Sequence, residues 1–245
     1  MSDDDMNAIA MNTIDTNTID TNTIDSSTTN MDTIDVLRTT RAIRRFTDQP
    51  VSDADIERCL QAAQQAPSGG NVQPQQYLVL TDPAVKQAVG EWYRKAYHRY
   101  EASLPTREFP DPTAQSSWER TTEASRHLAD HLGDAPVVVL FLQPIIPWGS
   151  SDAEGPLDIG RLDASVYPAV QNFCVAARSI GLGTALTTVI RVYTAEVLEL
   201  LGVPTDRYEI AALVPVGYPR GNFGVAPRKP AAAVTHWNTW SNKRR

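Results

Sequence analysis

Two continuous apolar runs, residues 136–142 and 210–216, most strongly constrain how this 245-residue chain can fold. Such a run is typical of a β-strand covered on both faces, because it leaves no position for a solvent-facing side chain. Residues 77–80 and 184–189 predict two further strands. The sequence therefore predicts one central sheet with other structure packed on it.

Apolar residues at helical spacing occupy much of the remaining chain. They predict helices that begin near residue 34 and at Pro83, and others over residues 52–66, 116–132, 163–181 and 194–201. Ser52 to Asp55 resembles a capping box, Thr194 is placed to cap the last helix, and Gly181 to end the longest. Residues 101–115 are predicted to be a loop and residues 219–245 an extended arm. This alternation indicates an α+β class, or α/β with one central sheet.

The formal charge of −7 is concentrated at the N-terminus. Residues 1–30 contain six Asp and no Lys or Arg, so the other 215 residues carry 23 acids and 22 Lys or Arg. A body this close to neutral does not fit a basic nucleic-acid footprint, and we expect no nucleic-acid partner. Residues 11–25 repeat a unit ending in Asn-Thr-Ile-Asp, whose single Ile buries too little to offset the entropy of ordering. We predict a disordered acidic tail over residues 1–30, ahead of a domain over residues 31–245.

No stretch of about 18 apolar residues is present, so we expect no membrane-spanning helix and no membrane partner. The first residues, Met-Ser-Asp-Asp-Asp, lack the basic start and apolar core of a secretory signal. Cys59 and Cys174 stand alone on apolar helical stripes, which predicts two buried thiols and no disulfide. These features together predict a reduced, cytoplasmic protein.

Arg41, Arg44 and Arg45 follow the first helix within about one turn of one another. Guanidinium groups this close favour an anion between them, and phosphate suits them because Arg can donate two parallel hydrogen bonds. The alternative is a solvated basic face that pairs with Asp48 or Asp53. Near the C-terminus, residues 226–230 add two more cations, Arg228 and Lys229, with an exposed arm as the alternative.

Residues 67–74, Pro-Ser-Gly-Gly-Asn-Val-Gln-Pro, form a break in the chain that could approach a ligand closely. The two glycines have no side chain, so a ligand can approach the backbone closely. Asn71 and Gln73 offer amide donors and acceptors. The segment lacks the Lys-Ser/Thr ending of a P-loop, and an ordinary loop is the alternative.

Residues 181–188, Gly-Leu-Gly-Thr-Ala-Leu-Thr-Thr, resemble half of a dinucleotide-binding fingerprint. Their glycines end a helix instead of following a strand, which is the wrong context for that fingerprint. Leu186, Thr187 and Thr188 could instead line a flat ligand.

Other candidate groups have ordinary structural explanations. His127 and His131 share a helix face without an acidic or Cys partner, so a plain helix surface is favoured over a metal site. A cluster of aromatic residues in one helix predicts either packing or a wall over a planar substrate; its members are Trp92, Tyr93, Tyr97 and Tyr100. No Gly-x-Ser-x-Gly nucleophile motif is present.

Taken together and in order, these segments resemble the nitroreductase family of flavoenzymes. The family's R-[RS]-S-x-R-x-F segment corresponds to residues 40–46, Thr-Arg-Ala-Ile-Arg-Arg-Phe, and its P-S-[SG]-x-N-x-Q-P segment to residues 67–74. A long helix with Gln171-Asn172, the ending Gly-Leu-Gly-Thr at 181–184 and Arg-Lys-Pro at 228–230 are also similar. The resemblance covers about residues 32–235.

The resemblance implies an α+β fold with a mainly antiparallel sheet, in an intertwined homodimer that binds one FMN at each of two interface sites. It implies that Arg41, Ala42, Arg44 and Arg228 contact the phosphate and ribityl chain. By the same resemblance, the partner subunit supplies Pro67, Ser68, Gly69 and Asn71 on the isoalloxazine side. Leu186, Thr187 and Thr188 would face the ring edge, and residues 91–135 would form a lid that selects the substrate.

Two departures from the family pattern bear on activity. Ala42 replaces the usual Ser, which removes one side-chain hydrogen bond and leaves only backbone contact. The Leu-Thr-Thr run at 186–188 is similar to the dehalogenase-like branch, whose lid uses a Glu, a Tyr and a Lys. Residues 96–135 contain no Lys, which argues against turnover of halotyrosine.

The activity that the resemblance implies is transfer of hydride from NAD(P)H, through FMN, to a small planar electron-poor acceptor such as a nitroaromatic or a quinone. Kinetics would be ping-pong, with no catalytic side chain and no metal, because the cofactor carries the chemistry. The alternatives are reductive dehalogenation, dehydrogenation or flavin breakdown on the same fold, a flavin-binding protein without turnover, and an interaction protein that acts through the acidic tail.

Overall fold

The computed structural model describes residues 31–146 and 150–243, and the predicted disordered tail over residues 1–30 lies outside these ranges. The α-helices there are α1 (Thr33–Thr39), α2 (Asp53–Gln64), α3 (Pro83–Ala102), α4 (Pro112–His131), α5 (Asp163–Ser179), α6 (Thr194–Leu200) and α7 (Ala231–Val234). The strands are β1 (Gln76–Leu80), β2 (Val137–Pro144), β3 (Ser150–Asp152), β4 (Gly155–Leu157), β5 (Gly183–Thr184) and β6 (Tyr208–Gly217).

The main sheet has the strand order β1-β2-β6-β5, and each neighbouring pair is antiparallel. Leu140 is the register partner of Leu78 on one side and of Leu213 on the other. The α+β prediction with a mainly antiparallel sheet is confirmed, and the α/β alternative is wrong. Strands β3 and β4 form a separate small hairpin.

The two apolar runs are confirmed as the central strands, β2 and β6. Alternate side chains of β2 pack on opposite faces, as the period of a strand requires. Val139 and Phe141 pack with Phe173 of α5 on one face, whereas Val138 and Leu140 join the cluster of α3 on the other. Helices therefore cover both faces, which explains why β2 is apolar without alternation.

The prediction of a strand over residues 184–189 is wrong beyond Thr184. Thr187 forms only an isolated bridge with Leu213, and a 3₁₀ helix follows at Val189–Tyr193. Local hydrogen bonds override the strand propensity of this Thr-rich run: Val189 N–H donates to Thr187 Oγ1 (3.4 Å) and Arg191 N–H donates to the Thr188 carbonyl (3.0 Å).

Helix ends follow the sequence signals in most places. Ser52 Oγ accepts from Asp55 N–H (3.1 Å), so the predicted cap of α2 is confirmed. Gly181 ends α5 with φ +85°, as predicted for a C-cap glycine. Thr194 is not a cap, since it lies inside α6 and its hydroxyl donates to the Arg191 carbonyl (3.1 Å).

The predicted loop over residues 101–115 is shorter than expected. Helix α3 runs to Ala102, and α4 begins at Pro112 because Asp111 Oδ1 accepts from Ala114 N–H (2.8 Å). The predicted arm is largely irregular, with α7 as its short helix. Within residues 31–146 and 150–243, no helix is long and apolar enough to cross a membrane.

Candidate functional site

The segment 41–46 lies between strand β5 and the start of the C-terminal arm. Ala42 forms a parallel bridge with Thr184, and Ile43 N–H donates to the Thr184 carbonyl (2.8 Å). At the other end, Phe46 bridges Pro219, and Arg220 Nε donates to the Phe46 carbonyl (2.6 Å). Backbone pairing on both sides therefore fixes the arginines of this segment next to the arm that carries Arg228.

Two clefts flank this segment and share Arg41, Ala42 and Arg228 in their walls. The first cleft has a volume of about 670 Å³, and Leu37, Gln171, Thr184, Leu186 and Val225 are among its other lining residues. The second has about 790 Å³, and Arg44, Arg45, Ser117, Arg120 and Asn222 are among its lining residues. One cleft is thus partly apolar, and the other is dominated by cations.

Three of the lining arginines lack anionic partners. Among the described residues, Arg41 and Arg44 form no ion pair or side-chain hydrogen bond, and Arg228 only donates to the Pro227 carbonyl (3.1 Å). Arg45 differs, because its guanidinium lies 2.7 Å from Glu123 and 3.0 Å from His127 Nδ1. Unpaired guanidiniums lining a cleft favour an anionic ligand.

The alternative of a basic face paired with Asp48 or Asp53 is therefore wrong for these arginines. Asp48 pairs instead with Arg220 (3.6 Å), and the partner of Arg45 is Glu123 on α4. The contact between Arg45 and Glu123 could not be predicted from sequence, because the two residues are 78 positions apart.

Arg44 is half-buried next to two tyrosines. Burial lowers the pKa of Arg44, the positive charge of Arg41 lowers it further, and Tyr93 and Tyr97 act in the opposite direction. Burial also raises the pKa of Tyr93, whose hydroxyl donates to Thr187 Oγ1 (3.2 Å). A bound anion would relieve the cost of holding two adjacent cations without a carboxylate.

Of the predicted residues 186–188, only Leu186 lines the first cleft, and it is 42% exposed. Thr187 and Thr188 line neither the first nor the second cleft. Thr187 N–H donates to the Leu213 carbonyl, and the Thr187 carbonyl accepts from Leu213 N–H, both at 2.9 Å. The Thr187 hydroxyl accepts a hydrogen bond from the Tyr93 hydroxyl. Thr188 is exposed, and its carbonyl accepts from Arg191. The Thr187 amide is therefore used by the fold and is not available to a ligand.

The loop 67–74 lies away from both clefts of its own chain. Its 3₁₀ turn, Gly69–Asn71, is held by Gly69 N–H donating to Ser165 Oγ (3.1 Å) and Gln73 N–H donating to Ser68 Oγ (3.0 Å). Neither cleft is lined by Pro67, Ser68, Gly69 or Asn71. The four residues predicted for the isoalloxazine side are therefore not brought together with the arginines within one chain.

The aromatic cluster of α3 is mainly packing. Tyr93 and Tyr97 are buried in the core, and Trp92 lies against Tyr193 with ring centroids 5.2 Å apart. Tyr100 is 45% exposed.

Cys59 and Cys174 are buried and free, as predicted. His127 and His131 lie on α4, with His131 bonded to Asp134 (2.9 Å).

Several lining residues were not predicted as site residues. Thr184 and Val225 line the first cleft, and Ser117 and Arg120 of α4 line the second. No motif marks Ser117 or Arg120, which reach the cleft only because α4 packs beside residues 44–45. Gln171 also lines the first cleft, and the family resemblance implies no role for it.

A model of the nitroreductase family matches residues 37–218. An oxygen-insensitive NADPH nitroreductase of Salmonella typhimurium is 29% identical over 208 residues, which are 85% of this chain and 74% of that protein. An FMN reductase [NAD(P)H] of Bacillus subtilis is 25% identical over 212 residues, 86% of this chain and 76% of that protein. A crystal structure of oxidized iodotyrosine deiodinase bound to FMN and 3-iodo-L-tyrosine shares the fold, with a TM-score of 0.67 and 22% identity over 85% of this chain and all of that chain.

Proposed function

The chain belongs to the nitroreductase family, and we propose that it is an FMN-dependent NAD(P)H oxidoreductase. The observation that carries this proposal is a set of unpaired cations, Arg41, Arg44 and Arg228. They line clefts whose volumes, about 670 and 790 Å³, suit a small molecule. The names of the Salmonella and Bacillus relatives support the same cofactor and reductant.

The residues of the first cleft fit FMN in charge and character. A phosphate monoester carries about −1.5 to −2 charges at pH 7, which the guanidiniums of Arg41 and Arg228 can neutralise. Leu186 and Val225 offer apolar surface to a flat ring system, and Gln171 and Thr184 offer polar groups. The volume of about 670 Å³ lies within the usual range of small-molecule sites.

Each residue contributes to binding and charge placement. Arg41 and Arg228 hold the phosphate, and Ala42 contributes only its backbone. Arg44 lies in the same segment, 41–46, and is half-buried. Its positive charge stabilises negative charge that develops on a ligand. When bound, FMN supplies the redox chemistry by accepting hydride from NAD(P)H and passing the electrons to an acceptor. No side chain of this set has to act as a nucleophile.

A second copy of the chain completes the site in this proposal. Pro67, Ser68, Gly69 and Asn71 come from the partner subunit of a homodimer. The apolar side chains around the first cleft support an interface on this face, because Leu37, Leu186 and Val225 are 47%, 42% and 55% exposed.

We assign the activity to residues 31–245, with residues 1–30 as a dispensable tail, residues 91–135 as the lid and residues 219–245 as the arm. The acceptor in this assignment is a planar electron-poor molecule such as a nitroaromatic or a quinone. The two buried, free thiols agree with a reducing cytoplasm, where we propose that the enzyme works.

The direct test is flavin content and turnover. We expect the purified protein to be yellow, to bleach anaerobically with NADPH or NADH, and to give parallel double-reciprocal plots when an acceptor is varied. A panel of a nitroaromatic, a quinone and a halophenol distinguishes reduction from dehalogenation. A protein that stays colourless after incubation with FMN would refute the proposal, and one that binds FMN without oxidising NAD(P)H would be a flavin-binding protein only.

Gly183 gives a test of the way strand β5 positions segment 41–46. A Cβ at this position would lie 2.8 to 3.1 Å from three side-chain carbons of Ile43. We expect Gly183→Ala to lower the free energy of unfolding by about 1–3 kcal/mol, since overpacking displaces neighbouring backbone. Because the displaced backbone carries Arg41 and Arg44, the affinity for FMN should fall as well, as measured by flavin fluorescence.

The matched control is Gly221→Ala, whose added Cβ would meet no atom within 4 Å. It should keep the unfolding midpoint of the parent protein. If Gly183→Ala bound FMN as tightly as the parent while losing stability, the positioning role of β5 would be wrong.

A further inference from the structure

The second cleft holds more positive charge than one FMN phosphate can use. Its lining includes five arginines, Arg41, Arg44, Arg45, Arg120 and Arg228, and no Asp or Glu. Glu123 nearby neutralises Arg45 across 2.7 Å. A phosphate monoester takes at most about two of the remaining four charges. About two positive charges are therefore left for a second anion.

Arg120 is the member of this set that segment 41–46 does not supply. Ser117 and Arg120 are three residues apart on α4, so they lie on one face of the helix, and both line the cleft. The carboxylate one turn further on, Glu123, is held by Arg45. Within the described chain, Arg120 forms no ion pair and no side-chain hydrogen bond. It thus offers an uncompensated guanidinium to the cleft.

The cleft is also too large for a free anion. A volume of about 790 Å³ matches a nucleotide-sized ligand, and Asn222 and Ser117 add neutral polar groups to its walls. The two clefts share Arg41 and Arg228, so a ligand in the second cleft lies next to one in the first. The anion is therefore one group of a larger molecule that meets the flavin.

We propose that Arg120 and Ser117 bind the 2′-phosphate of NADPH, and that this contact makes the enzyme select NADPH over NADH. The inference rests on the proposed function, because it assigns a specificity to the same site. NADH and NADPH share the pyrophosphate and differ only in the phosphate monoester on the adenosine ribose. A dianion of that kind matches the two surplus charges, whereas NADH lacks it and carries only the pyrophosphate that both nucleotides share.

Kinetics of Arg120→Gln test the selection. We expect KM for NADPH to rise about tenfold, the usual loss for one charge-assisted contact, while KM for NADH and kcat with either nucleotide change less than about twofold. The matched control is Arg126→Gln on the same helix, because Arg126 pairs with Glu101 (2.8 Å) and lines neither cleft. Equal losses for NADPH and NADH would overturn the inference, since they would place the shared pyrophosphate in the cleft.

A binding measurement keeps the inference separate from turnover. Calorimetric titration of the FMN-loaded protein should show adenosine 2′,5′-bisphosphate binding at least about tenfold more tightly than adenosine 5′-monophosphate. This difference should disappear in Arg120→Gln and persist in Arg126→Gln. Equal affinity for the two nucleotides, or release of FMN by the bisphosphate, would refute the second anion site.

The two proposals fail in different ways. If the protein binds FMN but never oxidises NAD(P)H, the proposed function is lost, yet the titration still decides whether Arg120 recognises the 2′-phosphate. If no FMN binds, the same titration on the purified chain compares the bisphosphate with the monophosphate. If turnover occurs with no preference for NADPH, the proposed function stands and the role of Arg120 is refuted.

Discussion

Replacing both Arg41 and Arg228 with Gln should weaken FMN binding by about 100-fold. The two side chains line both clefts, and neither has a carboxylate partner in the described chain, so their charge is available to a phosphate. A charge-assisted hydrogen bond contributes roughly 1.5–3 kcal/mol, and both side chains are exposed, so we take the lower end, about tenfold for each. Gln keeps a polar amide group, but it removes the charge and shortens the side chain.

Quenching of flavin fluorescence measures this loss directly, and its salt dependence identifies the cause. Affinity of the parent protein should fall as ionic strength rises, whereas affinity of the double variant should change less. The control is the double change Arg58→Gln with Arg126→Gln, which removes two cations outside both clefts. A loss of less than about threefold in Arg41→Gln/Arg228→Gln would mean that the phosphate is held elsewhere.

The arginines at 41, 44 and 228 could be predicted from sequence because motif residues are held by local backbone pairing. Ala42 pairs with Thr184, and Phe46 pairs with Pro219, so short segments carry their side chains to the cleft together. Ser117 and Arg120 could not be predicted in the same way. Their place at the second cleft depends on how α4 packs, and the Arg45–Glu123 pair shows that this packing joins distant parts of the sequence.

The loop 67–74 marks a different limit of prediction from sequence. Its turn is built from local hydrogen bonds, such as Gln73 N–H to Ser68 Oγ, and its glycine Gly70 takes φ +57° as a tight turn requires. In the proposed function, its ligand role depends on a second copy of the chain. The structure of one chain therefore shows the turn but not the FMN contacts that the motif implies.

For the fold, burial was easier to predict than chain direction. The apolar runs at 136–142 and 210–216 became β2 and β6 because only a central strand can bury every side chain. The same pattern did not decide between parallel and antiparallel pairing. Residues 184–189 misled the prediction because Thr and Val favour strands, whereas Thr side chains also bond to nearby backbone.

Replacing Phe141 with Ala should lower the free energy of unfolding by about 3–5 kcal/mol, the usual cost of truncating a fully buried Phe. Phe141 lies in the inner strand β2 with no exposed surface. Its ring is 5.3 Å from that of Tyr77 and 5.5 Å from that of Phe173, both edge to face. The change therefore removes contacts that join β1, β2 and α5.

Urea denaturation measures this loss, and an unchanged m-value would show that the unfolded state is not the cause. Phe109→Ala is the matched control, because that ring lies half-buried in the α3–α4 loop, 6.3 Å from the ring of Trp118, and should cost far less. The loss in Phe141→Ala should reach the first cleft, since Phe173 and the cleft residue Gln171 belong to the same helix. FMN at one saturating concentration stabilises each variant by RT ln(1 + [FMN]/Kd), so a variant that binds FMN more weakly gains less stability. A smaller FMN-induced increase in stability for Phe141→Ala than for Phe109→Ala would therefore show that this core contact holds α5 against the ligand, and equal increases would confine its role to stability.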